Sequence, residues 1–132
     1  MKLKTVAIVG TVLFLAGALL GFVPGHQKVS KLSEELEGSR LESKLSEIRE
    51  LASISYINAS KMNYGSAAES SKRMFGLVSE LAGDTKDASL RNNLNDLSTY
   101  HDSVMGKLSA ADASALEPLL KIVQKTQREL KR

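Results

Sequence analysis

Two histidines and no cysteine leave this chain few residues with ready chemistry. His101 stands in the run Leu90, Leu94, Leu97, His101, Val104 and Leu108. A histidine on such an apolar stripe can serve as a ligand, as a proton-operated switch or as a hydrogen-bonded core residue. Helical metal sites gather carboxylates and imidazoles in the pattern Glu-x-x-His on facing helices, and that spacing does not occur here. A partly buried, hydrogen-bonded core role is therefore the expectation for His101, and His26 reads as a polar residue near a membrane edge. Serines are plentiful, yet neither histidine sits in a motif that would set it beside a serine with an orienting carboxylate. Gly-x-Ser-x-Gly and phosphate-cradling glycine loops are also missing from the sequence. These patterns predict a protein that is not an enzyme and has no metal or cofactor. Asn58-Ala-Ser60 fits a glycosylation sequon, which matters only in a eukaryotic secretory pathway.

The sharpest polar pattern is a row of cations, Lys121, Lys125, Arg128 and Arg132, at offsets of four, three and four. On a helix these share one narrow stripe, able to meet an anionic partner such as lipid headgroups, a cell-wall polymer or an acidic protein. The same cations also suit the negative end of a helix dipole on an ordinary solvated face. A third feature is the segment from Ala52 to Ser71, rich in Ser, Ala and Asn. Its small side chains permit close helix approach, or leave space between helices for a small ligand. Tyr56, Tyr64, Phe75 and Tyr100 are the residues expected around such a pocket.

What must position these groups begins with residues 5–23, TVAIVGTVLFLAGALLGFV, which carry no charge. As a helix rising about 1.5 Å per residue, this run crosses the roughly 30 Å hydrocarbon layer of a bilayer. A cleaved signal peptide is the rival reading, since Lys2 and Lys4 form a positive lead. The run is, however, longer than the usual apolar region of about 7–15 residues, and Phe22-Val23-Pro24 makes a poor cleavage site. An uncleaved single-pass anchor is expected, with residues 1–4 cytoplasmic and the remainder outside, because the basic residues crowd the N-terminal flank. In a bacterium this places the exposed domain beyond the inner membrane. Gly17-Ala-Leu-Leu-Gly21 forms a GxxxG pattern, with Gly10 near the same face, where two anchors can pack closely.

Pro24-Gly25 should end the span and act as a hinge. Residues 24–40 then form a helical stalk and residues 41–132 a bundle domain. Of the 18 lysines and arginines, Lys2 and Lys4 precede the anchor, so the rest nearly balance the 15 acidic residues. With only three Tyr, three Phe and no Trp, the exposed part lacks the basic, aromatic face of a nucleic-acid binder.

From residue 28 onward apolar residues recur every three or four positions, the helical period, so the fold class is all-α. A helix is expected over about 28–62. Val29, Leu32 and Leu36 line its first part, and Leu41, Leu45, Ile48 and Ala52 resume the spacing after an interruption near Gly38. Asn63-Tyr64-Gly65 can break the chain, with Ser66 and Glu69 forming a capping box for a helix ending at Gly83. Yet Ile54, Ile57, Tyr64, Ala68, Ser71, Phe75, Val78 and Ala82 keep one heptad phase across Gly65, as an unbroken helix would. Beyond Asp84 a helix over 86–108 carries the Leu90–Leu108 stripe. A last helix, capped by Ser109 with Asp112 or by Ser114 with Glu117, should bury Leu116, Leu119, Leu120, Val123 and Leu130. Short connections make successive helices antiparallel neighbours. The result is an up-and-down bundle of four helices, or of three with one very long helix if Gly65 is not a turn.

The function expected is that of a membrane-anchored, non-enzymatic interaction or scaffold module of the cell envelope, a self-associating homo-oligomer or the partner of another envelope protein. The alternative is an extracytoplasmic sensor or carrier holding a small molecule between its helices.

Overall fold

A computed structural model describes the backbone over residues 2–131 and the side chains over residues 29–131. The expected anchor, the Pro24-Gly25 hinge, His26, the glycine face of Gly10, Gly17 and Gly21, and Arg132 all lie outside the residues described in full. Among the described residues no helix is long and apolar enough to cross a membrane, and all regular structure is helical. In order these are α1 (Lys2–Ser60), α2 (Tyr64–Asp84), α3 (Ala88–Ser98), α4 (His101–Ser109), a 3-10 turn (Ala113–Ala115) and α5 (Leu116–Glu129). The chain divides into two units, Met1–Arg40 and Leu41–Arg132.

In the first unit every residue from Val29 to Arg40 is exposed. The second unit is a helical bundle with a single apolar core. Its wall from α1 turns Leu45, Ile48, Ala52, Ser55 and Ala59 inward at steps of three and four, the spacing that returns a helix to one face. Lys44 reaches Glu80 at 2.6 Å, and Arg73 reaches Glu47 at 2.5 Å. Ties across the turn at 61–63 require α1 and α2 to run in opposite senses. Arg49 of α1 donates to the Leu130 carbonyl just past α5 at 2.5 Å, so α1 also touches the end of the chain. Burial of each large aliphatic side chain contributes about 1.5–3 kcal/mol, and Leu45, Ile48, Leu94, Leu97, Leu119, Ile122 and Leu130 are all sealed from solvent.

The turn between α1 and α2 is real, which selects four helical arms over three, but Gly65 is not its pivot. Met62 adopts a left-handed φ of 60°. Its N–H bonds the Ala59 carbonyl at 3.0 Å, while Asn63 N–H reaches back to the Asn58 carbonyl at 2.8 Å, the paired bonds of a Schellman cap. Asn63 then caps α2, its side chain accepting from Ser66 N–H at 3.4 Å. Ser66 is thus inside the helix, and Gly65 is an exposed first-turn residue. The heptad phase carried across Gly65 is coincidental, since Ile54 and Ile57 are exposed while Ser71, Phe75 and Val78 are buried. The second helix ends at Asp84 rather than Gly83. Arg91 closes that end by donating to the Thr85 and Ala82 carbonyls.

The expected helix over 86–108 is two helices. Asp87 caps α3 with bonds from Ser89 and Leu90 N–H at 2.9 and 3.1 Å. Near Ser98 the ladder tightens to three-residue bonds, Thr99 N–H to Asp96 and Tyr100 N–H to Leu97, both at 3.2 Å. The Thr99 hydroxyl donates to the same Asp96 carbonyl at 2.6 Å, and the Ser98 hydroxyl to Leu94 at 3.2 Å. Hydroxyls that bond back onto helix carbonyls compete with the ladder and bend it. The kink keeps Leu90, Leu94, Leu97, Val104 and Leu108 in the core and swings His101 out.

A second Schellman cap follows, with Ala111 at φ 52°. Asp112 N–H bonds the Lys107 carbonyl at 2.9 Å, and Ala111 N–H bonds Leu108 at 3.1 Å. Neither expected cap of the last helix forms, because Ser109 lies within α4 and Ser114 within the 3-10 turn. Asp112 takes that role, accepting from Ser114 N–H at 2.8 Å. Bonds from the Ser114 backbone and side chain hold its carboxyl below the usual carboxylate range. The buried face of α5 is Pro118, Leu119, Ile122 and Thr126, with Leu130 just beyond. Leu120 is 40% exposed, and Leu116 and Val123 are half-buried. The core stripe is therefore rotated from the expected one toward Ile122 and Thr126.

Candidate functional site

The cation row of α5 is largely spent within the bundle. Lys121 pairs with Glu117 one turn earlier at 3.1 Å. Lys125 reaches across to Asp96 of α3 and lies 3.8 Å from Glu129. The hydrogen bond to Asp96 raises the Lys125 pKa, against a smaller opposing effect of burial. Among the described residues only Arg128 of this row faces solvent without a polar partner, and Arg132 lies beyond them. Glu117, Asp96 and Glu129 thus already answer the charges that an anionic partner would have to engage.

Tyr56, Tyr64, Phe75 and Tyr100 all join or border the core. Phe75 is buried, and the three tyrosines are half-buried. Phe75 meets the His101 ring edge-on at 5.0 Å between centroids. His101 is half exposed, and its Nδ1 lies 2.9 Å from the Asp102 carboxylate. The histidine of the apolar stripe is thus polar-paired and rests on the core through Phe75, but at the surface and less buried than its place in the stripe predicts. Among the described residues no three acidic or imidazole groups gather as a metal site would require.

The small residues of the middle segment face the interior: Ala52, Ser55 and Ala59 on α1, and Ala67 and Ser71 on α2, are all buried. The Ser55 and Ser71 hydroxyls have no exposure and no hydrogen-bond partner. Periodicity alone marks these serines as inward-facing, but only the fold shows that their hydroxyls go unanswered. A shallow recess of about 90 Å³ opens at the other end of the bundle, between Leu45, Leu90, Asn93 and Leu130. None of the four aromatic residues borders it.

The surface the sequence underrates is apolar and exposed. Val29, Leu32 and Leu36 are 65%, 64% and 52% exposed and stand at the offsets three and four that align them on one face of α1. From Leu36 to Leu41 the step is five residues, and a helix advancing 100° per residue turns by about 140° over it. The heptad-like spacing of Val29, Leu32 and Leu36 therefore does not continue into Leu41, Leu45 and Ile48. The signal that finds it is this break in spacing. Compared with family models, with curated proteins and with solved structures, the chain shows no match to any of the three.

Proposed function

We propose that this protein is a membrane-anchored, non-enzymatic helical module of the bacterial cell envelope. It self-associates, with its bundle held on the outer side of the inner membrane. The observation that carries the reading is the exposed stripe of Val29, Leu32 and Leu36, adjoining an uncharged run over residues 5–23 that is long enough to cross a bilayer. Water-exposed leucines in phase on a helix are costly unless a partner covers them. The bundle's polar groups are largely committed to its own helix ends and ion pairs, which favours a contact function over chemistry. In the chain, which contains no cysteine, Ser33→Cys and Ser89→Cys provide clean labelling sites. Both should react with a membrane-impermeant maleimide in intact spheroplasts; protection of both until lysis would reverse the topology.

A sensor or carrier of small molecules is the second reading, favoured by the buried, unanswered hydroxyls of Ser55 and Ser71. Native mass spectrometry of the detergent-solubilised chain should show the bare polypeptide mass under the first reading. A stoichiometric adduct would move the assignment to the second.

A further inference from the structure

We propose that residues 29–40 form a parallel, in-register two-stranded coiled coil with a second copy of this chain, specified by reciprocal Glu35–Arg40 pairs. The inference rests on the self-associating, anchored reading above and names the contact that performs it.

With Val29 and Leu36 at heptad positions a and Leu32 at d, Glu35 falls at g and Arg40 at the following e. In parallel two-stranded coiled coils a g residue meets the partner's e residue five positions further on. Glu35 of each copy would therefore meet Arg40 of the other, twice by symmetry. An antiparallel pair that seats Leu36 on the partner's Leu32 would instead bring Glu35 against Glu35 and carry Arg40 away from it. The charges thus select the parallel arrangement, which is also the one available to two chains tethered at the same end. Glu35 and Arg40 are both exposed, and neither forms an ion pair or hydrogen bond among the described residues. A β-branched Val at a with Leu at d is compatible with two strands.

The length of the contact limits how it can work. Stable interfaces between free proteins bury about 800 Å² per partner, and three apolar side chains per chain fall well short. The pair needs its local concentration raised by tethering, which can reach the millimolar range over short linkers. Association is then conditional on both copies sharing one bilayer.

The test uses the full-length chain in liposomes with one introduced cysteine. Ser39→Cys stands at d, and Ser30→Cys stands at b on the outer side; both replace an exposed serine and leave the apolar stripe intact. Ser39→Cys should form disulfide-linked dimers at least fivefold faster than Ser30→Cys. In the Ser39→Cys background, Arg40→Glu or Glu35→Arg alone should slow crosslinking about threefold or more, as expected for two exposed ion pairs turned repulsive. The double exchange Glu35→Arg with Arg40→Glu should restore it, an outcome that general damage to the helix would not give. Equal rates at positions 39 and 30, or no response to charge reversal, would overturn the proposal. Photobleaching step counts on labelled chains separate the two levels: pairs without face preference would leave self-association standing and remove this contact, whereas single copies at every lipid ratio would remove both.

Discussion

The two ends of the bundle are built from the same helices on different terms. Near the turn at 84–87 and the C-terminus, Leu45, Ile48, Val78, Leu81, Leu90 and Leu130 fill the core, and the ties Lys44–Glu80, Arg73–Glu47 and Arg49–Leu130 brace its outside. Near the turn at 61–63 the inward residues of α1 and α2 are the small Ser55, Ala59, Ala67 and Ser71, with two buried hydroxyls unanswered. Periodicity is equally regular in both halves. The comparison shows that a correct face pattern fixes which side of a helix is buried without fixing how much that burial stabilises.

The sharpest way to break the comparison is truncation. Leu94→Ala, at a fully buried site, should cost about 2–5 kcal/mol in chemical denaturation. Leu32→Ala in the exposed stripe should leave the same transition within about 0.5 kcal/mol. An equal loss from both would mean that the stripe is core after all. At the small-residue seam the sign should reverse. Ser55→Ala and Ser71→Ala each remove an unpaired buried hydroxyl and should stabilise by about 1 kcal/mol or more, read as a raised denaturation midpoint. A loss instead would show that the hydroxyls have a partner in solution, such as a buried water.

Met62→Gly and Ala111→Gly probe the two left-handed caps. A side chain at such a φ costs roughly 1–2 kcal/mol, part of which glycine returns to its greater freedom when unfolded, so gains of up to about 1 kcal/mol are expected. Smaller still should be Lys125→Met, which unties α5 from Asp96; a partly exposed pair of this kind contributes under about 1 kcal/mol. Because folding raises the Lys125 pKa, its contribution is complete below the unfolded value of 10.5 and fades as pH rises through the higher folded value. Asp112 has the opposite sign. Its lowered pKa means that its contribution is present above the unfolded value of 3.8 and is lost as pH falls through the lower folded value. Asp112→Asn, which can still accept the Ser114 bond, should match the parent near neutral pH and lose less stability in acid.

Much of this was legible in the residues. The helical period from residue 28 onward, the short connections and the buried Leu90, Leu94 and Leu97 all follow from spacing. The turns were harder because their signals are conventional and the chain's solutions are not. Gly65 and Gly83 advertise breaks, yet the left-handed positions fall on the exposed Met62 and Ala111, where backbone cap bonds close the helix ends. The kink at Ser98-Thr99 leaves no mark on the apolar spacing, because hydroxyls bonding back to carbonyls keep it intact, and it is this kink that exposes His101. Spacing leaves the cation row open between a binding surface and a solvated face, because its partners Asp96 and Glu117 come from another helix and from the preceding turn. One-dimensional spacing shows which charges share a stripe but not which acids reach across to them. The expected span falls outside the residues described in full.

Met62 and Ala111 terminate helices at the same end of the bundle, each holding a backbone angle its side chain disfavours, beside a seam with little apolar area to lose. That end is where transient opening should begin, well short of global unfolding. Amide protons around residues 55–71 should then trade for deuterium sooner than those around 44–50 and 74–81, and a protease should nick the loop at 61–63 first. An end that breathes while the other stays shut would let the bundle yield locally without surrendering its fold.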